Sequence, residues 1–174
     1  IRNEELSRPD LNDLNSIQRI PVTVVLDNVR SGQNVGSVFR TCDAFAVKQI
    51  FLCGITASPP EREILKTALG ATETVLWKYF ESTEEAIKQL KAQGCKIIAI
   101  EQSDSSIYLD KFTPVSVSEY ALIFGNEVNG VSNVLIPLMD SCIEVPQSGI
   151  KHSLNISVCA GMVLWEFYKH FQLK

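Results

Sequence analysis

The stretch that decides the fold is Val145-Pro146-Gln147-Ser148-Gly149-Ile150-Lys151-His152-Ser153-Leu154-Asn155-Ile156-Ser157. It begins as the end of a short apolar strand at 142–145, passes through a loop and enters an apolar segment. Pro146 lacks a backbone N–H and Gly149 allows a positive φ, so the backbone can bend tightly there. Ser153 stands where a helix N-cap is expected. The stretch therefore predicts a strand–loop–helix connection.

Outward from this stretch, strands and helices alternate along the chain. Short apolar runs predict six strands, and segments of helical spacing separate them. The strands are expected at 22–26, 49–53, 75–80, 96–100, 120–124 and 142–145, and the helices at 35–46, 60–69, 82–93, 134–139 and 153–170. This alternation predicts an α/β domain with a parallel sheet and helices on both faces.

The domain is expected to span 21–174 as a single unit, because no linker, repeat or low-complexity segment interrupts it. Residues 1–20 are polar with scattered leucines at Leu6, Leu11 and Leu14. This spacing predicts a short amphipathic helical extension on the surface of the domain or of a partner subunit.

Composition narrows the class of protein. The 174 residues are 45% hydrophobic and 21% charged, which is typical of a globular domain with a sizeable core. A net charge of −4 argues against a protein that coats nucleic acid through general basicity. It leaves room for a local basic patch on an acidic body.

The five cysteines form no C-x-x-C pair, and each lies in an apolar context. We expect reduced thiols in a cytoplasmic protein and, with two histidines in the chain, no metal site. The longest apolar runs are shorter than the roughly 18 residues of a membrane span, so we expect no membrane association.

Two further polar loops follow predicted strands. The first contains Asn34-x-Gly36-x-x-x-Arg40-Thr41, and the second is Gly125-Asn126-Glu127-Val128-Asn129-Gly130. Taken singly, the first is explained by a helix-capping asparagine with a solvated or paired arginine, and the second by a turn-rich connection. In parallel sheets, however, ligands bind beyond the carboxyl ends of the strands, where all three polar loops are expected.

Several catalytic classes lack their motifs. The second loop is neither G-x-G-x-x-G nor a Walker loop, so it does not indicate a dinucleotide or a P-loop site. Ser153 is not part of a G-x-S-x-G elbow, which argues against hydrolase chemistry.

Taken together and in order, the three loops resemble the motifs of the SpoU (TrmH-like) RNA ribose methyltransferases of the SPOUT class. The matching segments are Asn34-x-Gly36-x-x-x-Arg40-Thr41, Phe124-Gly125-Asn126-Glu127-x-x-Gly130-Val131-Ser132 and Val145-Pro146-x-x-Gly149-x-x-x-Ser153-Leu154-Asn155-Ile156-Ser157. The resemblance covers the chain from about Pro21 to the C-terminus. Val128 replaces a glycine that is frequent in the family, and Gln147 replaces a common methionine.

The resemblance implies a deep C-terminal trefoil knot and S-adenosyl-L-methionine as the cofactor. The residues that it assigns to cofactor binding are Glu101, Gly125, Asn126, Val145, Pro146 and Leu154. The implied reaction is methyl transfer to a ribose 2′-hydroxyl of RNA.

The implied catalytic residues are Arg40, Asn34, Glu127, Ser153 and Asn155. Relatives assign the central role to the arginine, often as general base. An arginine side chain is effectively always protonated, so stabilising a developing alkoxide or clamping an RNA phosphate is physically easier. Asn34 and Glu127 would orient Arg40 and the ribose.

The resemblance also implies a homodimer whose active site lies at the subunit interface. Apolar residues of the last helix, Val158, Met162, Trp165 and Phe167, would suit such an interface or a plain core. Arg30, Arg40 and Lys151 are the expected RNA contacts. Pro146-Gln147 resembles relatives that modify tRNA, so tRNA is favoured over rRNA as the substrate.

Two other functions compete with this interpretation. One is a catalytically silent RNA-binding dimer of the same fold, which would not need Arg40, Glu127, Ser153 and Asn155 together. The other is a generic α/β nucleotide-binding enzyme, which would need a phosphate loop or a metal cluster.

Overall fold

The computed structural model describes residues 16–150 and 153–173. Its centre is a seven-stranded sheet in the order β3-β2-β1-β6-β4-β7-β5, in which all paired strands are parallel. The strands are β1 (Ile20–Asp27), β2 (Val47–Cys53), β3 (Trp77–Phe80), β4 (Lys96–Ile100), β5 (Ile107–Tyr108), β6 (Tyr120–Phe124) and β7 (Ser141–Glu144).

Within the described residues, α-helices and a 3-10 helix follow these strands along the chain. They are α1 (Gly32–Ala44), α2 (Arg62–Ala68), α3 (Ala71–Thr74), α4 (Thr83–Ala92), α5 (Ile156–Gln172) and the 3-10 helix Asn133–Leu138. Among the described residues, no helix is long and apolar enough to cross a membrane.

The core has one layer on each face of the sheet, which explains the continuous apolar runs of the central strands. On one face Val24 and Leu26 join side chains of α1 and α5, including Phe39 and Phe167. On the other face Val25 packs with residues of β2, β4 and α4. The predicted α/β class with helices on both faces is confirmed.

Most strand predictions agree with the structure, and 96–100 and 120–124 match β4 and β6 at both ends. The short strand β5 was missed because its two residues are both exposed and carry no buried apolar run. Strand β1 begins at Ile20 and so includes the last residue of the expected extension. The rest of that extension up to residue 15, with Leu6, Leu11 and Leu14, lies outside the described residues.

Helix starts differ from prediction in several places, and α1 begins at Gly32 rather than at 35, because the Ser31 side chain caps it by accepting from the Asn34 N–H. Helix α5 is capped by Asn155 rather than Ser153, because the Asn155 side chain accepts a hydrogen bond from the Ser157 N–H at 2.9 Å. Helix α2 begins at Arg62, so Pro60 precedes the first turn. Ser82 stands at the N-cap of α4, but its side chain makes no capping hydrogen bond within the described chain.

The strand order places a topological switch beside β1. The chain moves outward from β1 to β2 and β3, and then builds β4, β6 and β7 on the other side. Clefts form at such switch points beyond the carboxyl ends of the strands. The loops that follow β1, β4, β6 and β7 all lie at this edge.

Candidate active site

A cleft of about 430 Å³ opens beyond the carboxyl ends of β4, β6 and β7. It falls within the range of small-molecule sites, which are commonly about 300–1,000 Å³. Its wall combines apolar side chains with polar loops. The lining residues used below are Ile100, Glu101, Gln102, Phe124, Gly125, Asn126, Glu127, Glu144, Val145, Gln147, Ser153, Leu154, Ile156 and Cys159.

The loop 125–131, which we call the glycine loop, forms one side of the cleft and is tightly wound. The Asn126 side-chain oxygen accepts hydrogen bonds from the N–H groups of Val128 and Asn129 at 2.9 and 2.8 Å. A Cβ atom on Gly125 would overlap the backbone of Gly130 and Val131. Only glycine fits at position 125, and the Asn126 oxygen shapes the loop.

Glu101 closes the base of the glycine loop. Its carboxylate accepts a hydrogen bond from the Val131 N–H at 3.0 Å and another from the Gln102 N–H at 3.0 Å. Gly130, at φ +64°, presses against the same carboxylate where a Cβ would not fit. Glu101 therefore lines the cleft and also fixes the backbone of the opposite wall.

A chain of amide and carboxyl groups joins the three polar loops. The Asn34 side-chain NH2 donates to Glu127 Oε1 at 2.7 Å, and the Asn155 NH2 donates to Asn34 Oδ1 at 3.1 Å. Asn155 Oδ1 in turn accepts from the N–H and hydroxyl of Ser157. The start of α1, the glycine loop and the start of α5 are thus held together at the cleft.

Other predicted site residues lie elsewhere. Arg40 is exposed on α1, six residues and therefore about 9 Å beyond Asn34 along the helix axis. Its guanidinium forms no hydrogen bond or ion pair with the described residues. Arg30 is also exposed, in the loop after β1. Pro146 is exposed and does not line the cleft, whereas its neighbour Gln147 does. Lys151 is outside the described residues.

The cleft also contains residues that the motifs did not indicate. Gln102 follows β4, and its position after a predicted strand could have identified it. Glu144 is the last residue of β7 and falls inside the predicted strand 142–145, so its position gave no such signal. Cys159 lies in the first turns of α5 and gave no such signal. Burial, followed by the Glu101 charge, raises the pKa of the Cys159 thiol to about 11, so it is protonated at neutral pH.

The sequence matches the family model described as the SpoU rRNA Methylase family over residues 21–165. The chain belongs to the SpoU family. The resemblance carried by the three motifs is therefore confirmed. Those motifs contribute Glu127, which lines the cleft, and Asn34 and Asn155, which are joined to Glu127 by a chain of hydrogen bonds.

Two curated SpoU relatives act on different RNAs. A 23S rRNA (guanosine-2′-O-)-methyltransferase of Vibrio vulnificus is 28% identical over 164 residues, which is 94% of this chain and 65% of the relative. A tRNA (guanosine(18)-2′-O)-methyltransferase of Thermus thermophilus is 31% identical over 146 residues, or 83% of this chain and 73% of the relative. The chain thus spans about two thirds of the length of these relatives.

A solved SpoU-like structure carries the cofactor. The AdoMet-bound rRNA methyltransferase from Sinorhizobium meliloti has a TM-score of 0.81 and 28% identity, with 90% of this chain and 60% of that chain covered. A TrmH/SpoU tRNA-modifying enzyme of A. aeolicus has a TM-score of 0.78 and 25% identity, with 88% and 76% covered.

Proposed function

We propose that this SpoU protein transfers the methyl group of S-adenosyl-L-methionine to a ribose 2′-hydroxyl of RNA. The observation that carries the proposal is the convergence of the three family loops at one cleft, through the Asn34–Glu127 and Asn155–Asn34 hydrogen bonds. The named activities of the Vibrio and Thermus relatives support it.

The residues of the cleft fit S-adenosyl-L-methionine. Ile100, Phe124, Leu154 and Ile156 offer apolar contacts for the adenine ring, and backbone groups of the glycine loop and of Val145 offer hydrogen-bonding partners. The carboxylates of Glu101, Glu127 and Glu144 suit a ligand that carries a sulfonium and an ammonium group. When bound, the cofactor supplies an electrophilic methyl group.

The protein's task is then to position the ribose and to stabilise its oxygen. The ribose 2′-oxygen would receive the methyl group that the bound cofactor supplies, and its hydroxyl proton would pass to an adjacent RNA phosphate or to water. Asn34, Glu127 and Asn155 form a preorganised polar surface for the ribose, with Ser153 at the rim. Arg40 acts electrostatically, on the developing alkoxide or on an RNA phosphate, because guanidinium does not release its proton.

Transfer RNA is the proposed substrate, with 23S rRNA as the alternative. The higher identity of the tRNA-modifying Thermus relative and the Pro146-Gln147 pair favour tRNA. The Vibrio relative, which matches more of this chain, favours rRNA. Arg30 and Lys151 are proposed as phosphate contacts. We place the protein in the cytoplasm, where its thiols would remain reduced.

A homodimer would explain why Arg40 lies outside the cleft of its own chain. Val158, Met162 and Trp165 form an apolar stripe on α5 that is 53%, 46% and 41% exposed, and this stripe begins one residue before the cleft residue Cys159. Phe167, expected with them, is fully buried in the core. A partner seated on the stripe would bring a second set of residues, Arg40 among them, towards the cleft.

The deep trefoil knot is part of the same proposal. Strand β7 lies between β4 and β5, yet α5 packs back against α1 and β1 on the other side of β6. This return path supports a chain that passes through its own loop. An experimental structure in which the C-terminal segment does not pass through a loop of the preceding chain would contradict the knot.

The test of the proposed function is methyl transfer from labelled S-adenosyl-L-methionine into separate pools of unmodified tRNA and ribosomal RNA. Label in the tRNA pool is expected. Label in the rRNA pool alone would show that rRNA, and not tRNA, is the substrate, and would leave the proposed reaction unchanged. Absence of label from both pools, together with RNA binding, would favour the catalytically silent dimer.

A further inference from the structure

The most buried carboxylate at the carboxyl edge of the sheet belongs to Asp27, the last residue of β1. It is 1% exposed, yet none of the proposed steps uses it. Its Oδ1 accepts hydrogen bonds from the Thr83 hydroxyl at 2.6 Å and from the Asn28 NH2 at 2.8 Å. Its Oδ2 accepts from the Ser132 N–H at 3.0 Å and from the Ser132 hydroxyl at 2.7 Å.

Ser132 follows directly after the glycine loop. It stands at the N-cap of the 3-10 helix, but its hydroxyl donates to Asp27 instead of accepting from that helix. The other end of the glycine loop continues from β6, and its middle is tied to α1 by the Asn34–Glu127 hydrogen bond. Asp27 is therefore the anchor at the far end of the cleft wall.

We propose that Asp27 is a positioning residue that fixes the glycine loop through Ser132 and so sets the affinity of the cleft for S-adenosyl-L-methionine. Both Ser132 donors, the backbone N–H and the hydroxyl, point to the same buried oxygen, and removal of a donor from a buried acceptor leaves that acceptor unsatisfied. This inference rests on the proposed function for the identity of the ligand. The anchoring of the loop is independent of it.

The carboxylate itself offers a matched pair of variants. Ser132→Ala removes one hydrogen bond to Oδ2, on the side of the cleft wall. Thr83→Val removes one hydrogen bond to Oδ1, on the side of α4. This bond is 2.6 Å long, against 2.7 Å for the Ser132 hydroxyl bond, and Thr83 does not line the cleft. If the Asp27 carboxylate had only a structural role, the two variants would have the same affinity for S-adenosyl-L-methionine.

The experiment measures S-adenosyl-L-methionine binding by calorimetry, amide hydrogen exchange at 126–131 without ligand, and thermal stability. Ser132→Ala is expected to weaken binding by about fivefold or more and to speed exchange in the loop. Thr83→Val is expected to lower the melting temperature comparably while binding stays within about twofold of wild type. Equal decreases in affinity, or unchanged loop exchange in Ser132→Ala, would overturn the proposal.

Conservative replacement of Asp27 gives a second measurement. The amide oxygen of Asp27→Asn can still accept both Ser132 donors, while its NH2 would donate to the Thr83 hydroxyl and lose the Asn28 hydrogen bond. This variant should therefore be less stable but keep its affinity within about threefold of wild type, whereas Asp27→Ala should lose affinity by more than that. Equal affinities of Asp27→Asn and Asp27→Ala for S-adenosyl-L-methionine would contradict the positioning role of Asp27. If wild-type protein binds no S-adenosyl-L-methionine, the proposed function fails, and the exchange data alone decide whether Asp27 holds the loop.

Discussion

Asn34 and Glu127 are 93 positions apart in sequence and are joined by a 2.7 Å hydrogen bond between the asparagine NH2 and the glutamate carboxylate. One residue lies in the first turn of α1 and the other at the tip of the glycine loop. With Asn155 bonded to the other side of Asn34, this pair makes a single polar surface from three separate motifs.

The first prediction concerns this pair. Asn34→Asp would place a carboxylate against Glu127, and we expect methyl transfer to fall by about 10- to 100-fold because the loop and the ribose would be misplaced. The bond is exposed, so the free energy of unfolding should change by about 1 kcal/mol or less. Rates and urea unfolding curves check both statements.

Gln33→Glu is the matched control for that change. Gln33 lies beside Asn34 on α1 and donates to the Glu63 carboxylate at 2.9 Å, away from the cleft. The same amide-to-carboxylate change there should leave methyl transfer unaltered. A similar decrease in rate in both variants would mean that charge on α1, and not the cleft network, controls the reaction.

Gly125→Ala tests the close winding of the glycine loop. The added methyl group would meet the backbone of Gly130 and Val131, which cannot rotate away, so we expect stability to fall by about 1–3 kcal/mol. Cofactor affinity should fall as well. Gly36→Ala creates a comparable overlap between α1 and α2, and should lower stability with less effect on calorimetric binding.

Arg40→Ala should lower methyl transfer by about 100-fold or more, in line with the removal of one charge-stabilising donor. Cofactor affinity should be retained, because Arg40 does not line the cleft of its own chain. Arg62→Ala, which removes another exposed arginine, is the control and should have no effect.

Mixing subunits reveals where Arg40 acts. If it serves the partner's cleft, heterodimers of Arg40→Ala with Gly125→Ala subunits should regain activity, since one composite site is then intact. No recovery in verified heterodimers would place the action of Arg40 within its own subunit.

The apolar stripe on α5 predicts the oligomeric state. Met162→Asp should convert a dimer to monomers in sedimentation velocity experiments, because a charge would be buried in the interface. Leu65→Asp is the control: it is matched in exposure, at 45% against 46%, and lies on α2. A wild-type protein that sediments as a monomer at all concentrations tested would contradict the dimer.

RNA binding should depend on Arg30 and Lys151. Replacing both with alanine is expected to weaken binding and to reduce the slope of log affinity against log salt by about 1 for each phosphate that is no longer neutralised. Lys88→Ala is the control, because Lys88 is paired with Glu84 on α4 at 2.7 Å. An unchanged slope would remove the two residues from the RNA surface.

The elements that sequence patterns predicted well are those with a strong local cause. Strands β4 and β6 are continuous apolar runs, and both were located to the residue. The convergence of the motif loops followed from parallel topology. The start of α5 was misassigned to Ser153 because Ser153 and Asn155 both suit an N-cap, and only the hydrogen bond to Ser157 decides between them.

What the sequence missed depends on packing between distant segments. Nothing local marks Asp27 as a buried acceptor for Thr83 and Ser132, 56 and 105 positions away. The exposed position of Arg40 likewise follows from how α1 is rotated against the sheet. The division of the apolar α5 residues between core and surface was also undecidable, since Phe167 and Trp165 differ only in the face of the helix that they occupy.

The most direct test of ribose methylation locates the transferred methyl group on the RNA. RNA methylated by the protein with isotopically labelled S-adenosyl-L-methionine would be digested to nucleosides and analysed by mass spectrometry. We predict a labelled 2′-O-methylribose at one nucleotide, with no label on any base. A label found on a base nitrogen or carbon would contradict ribose methylation, even if cofactor binding and RNA binding were both intact.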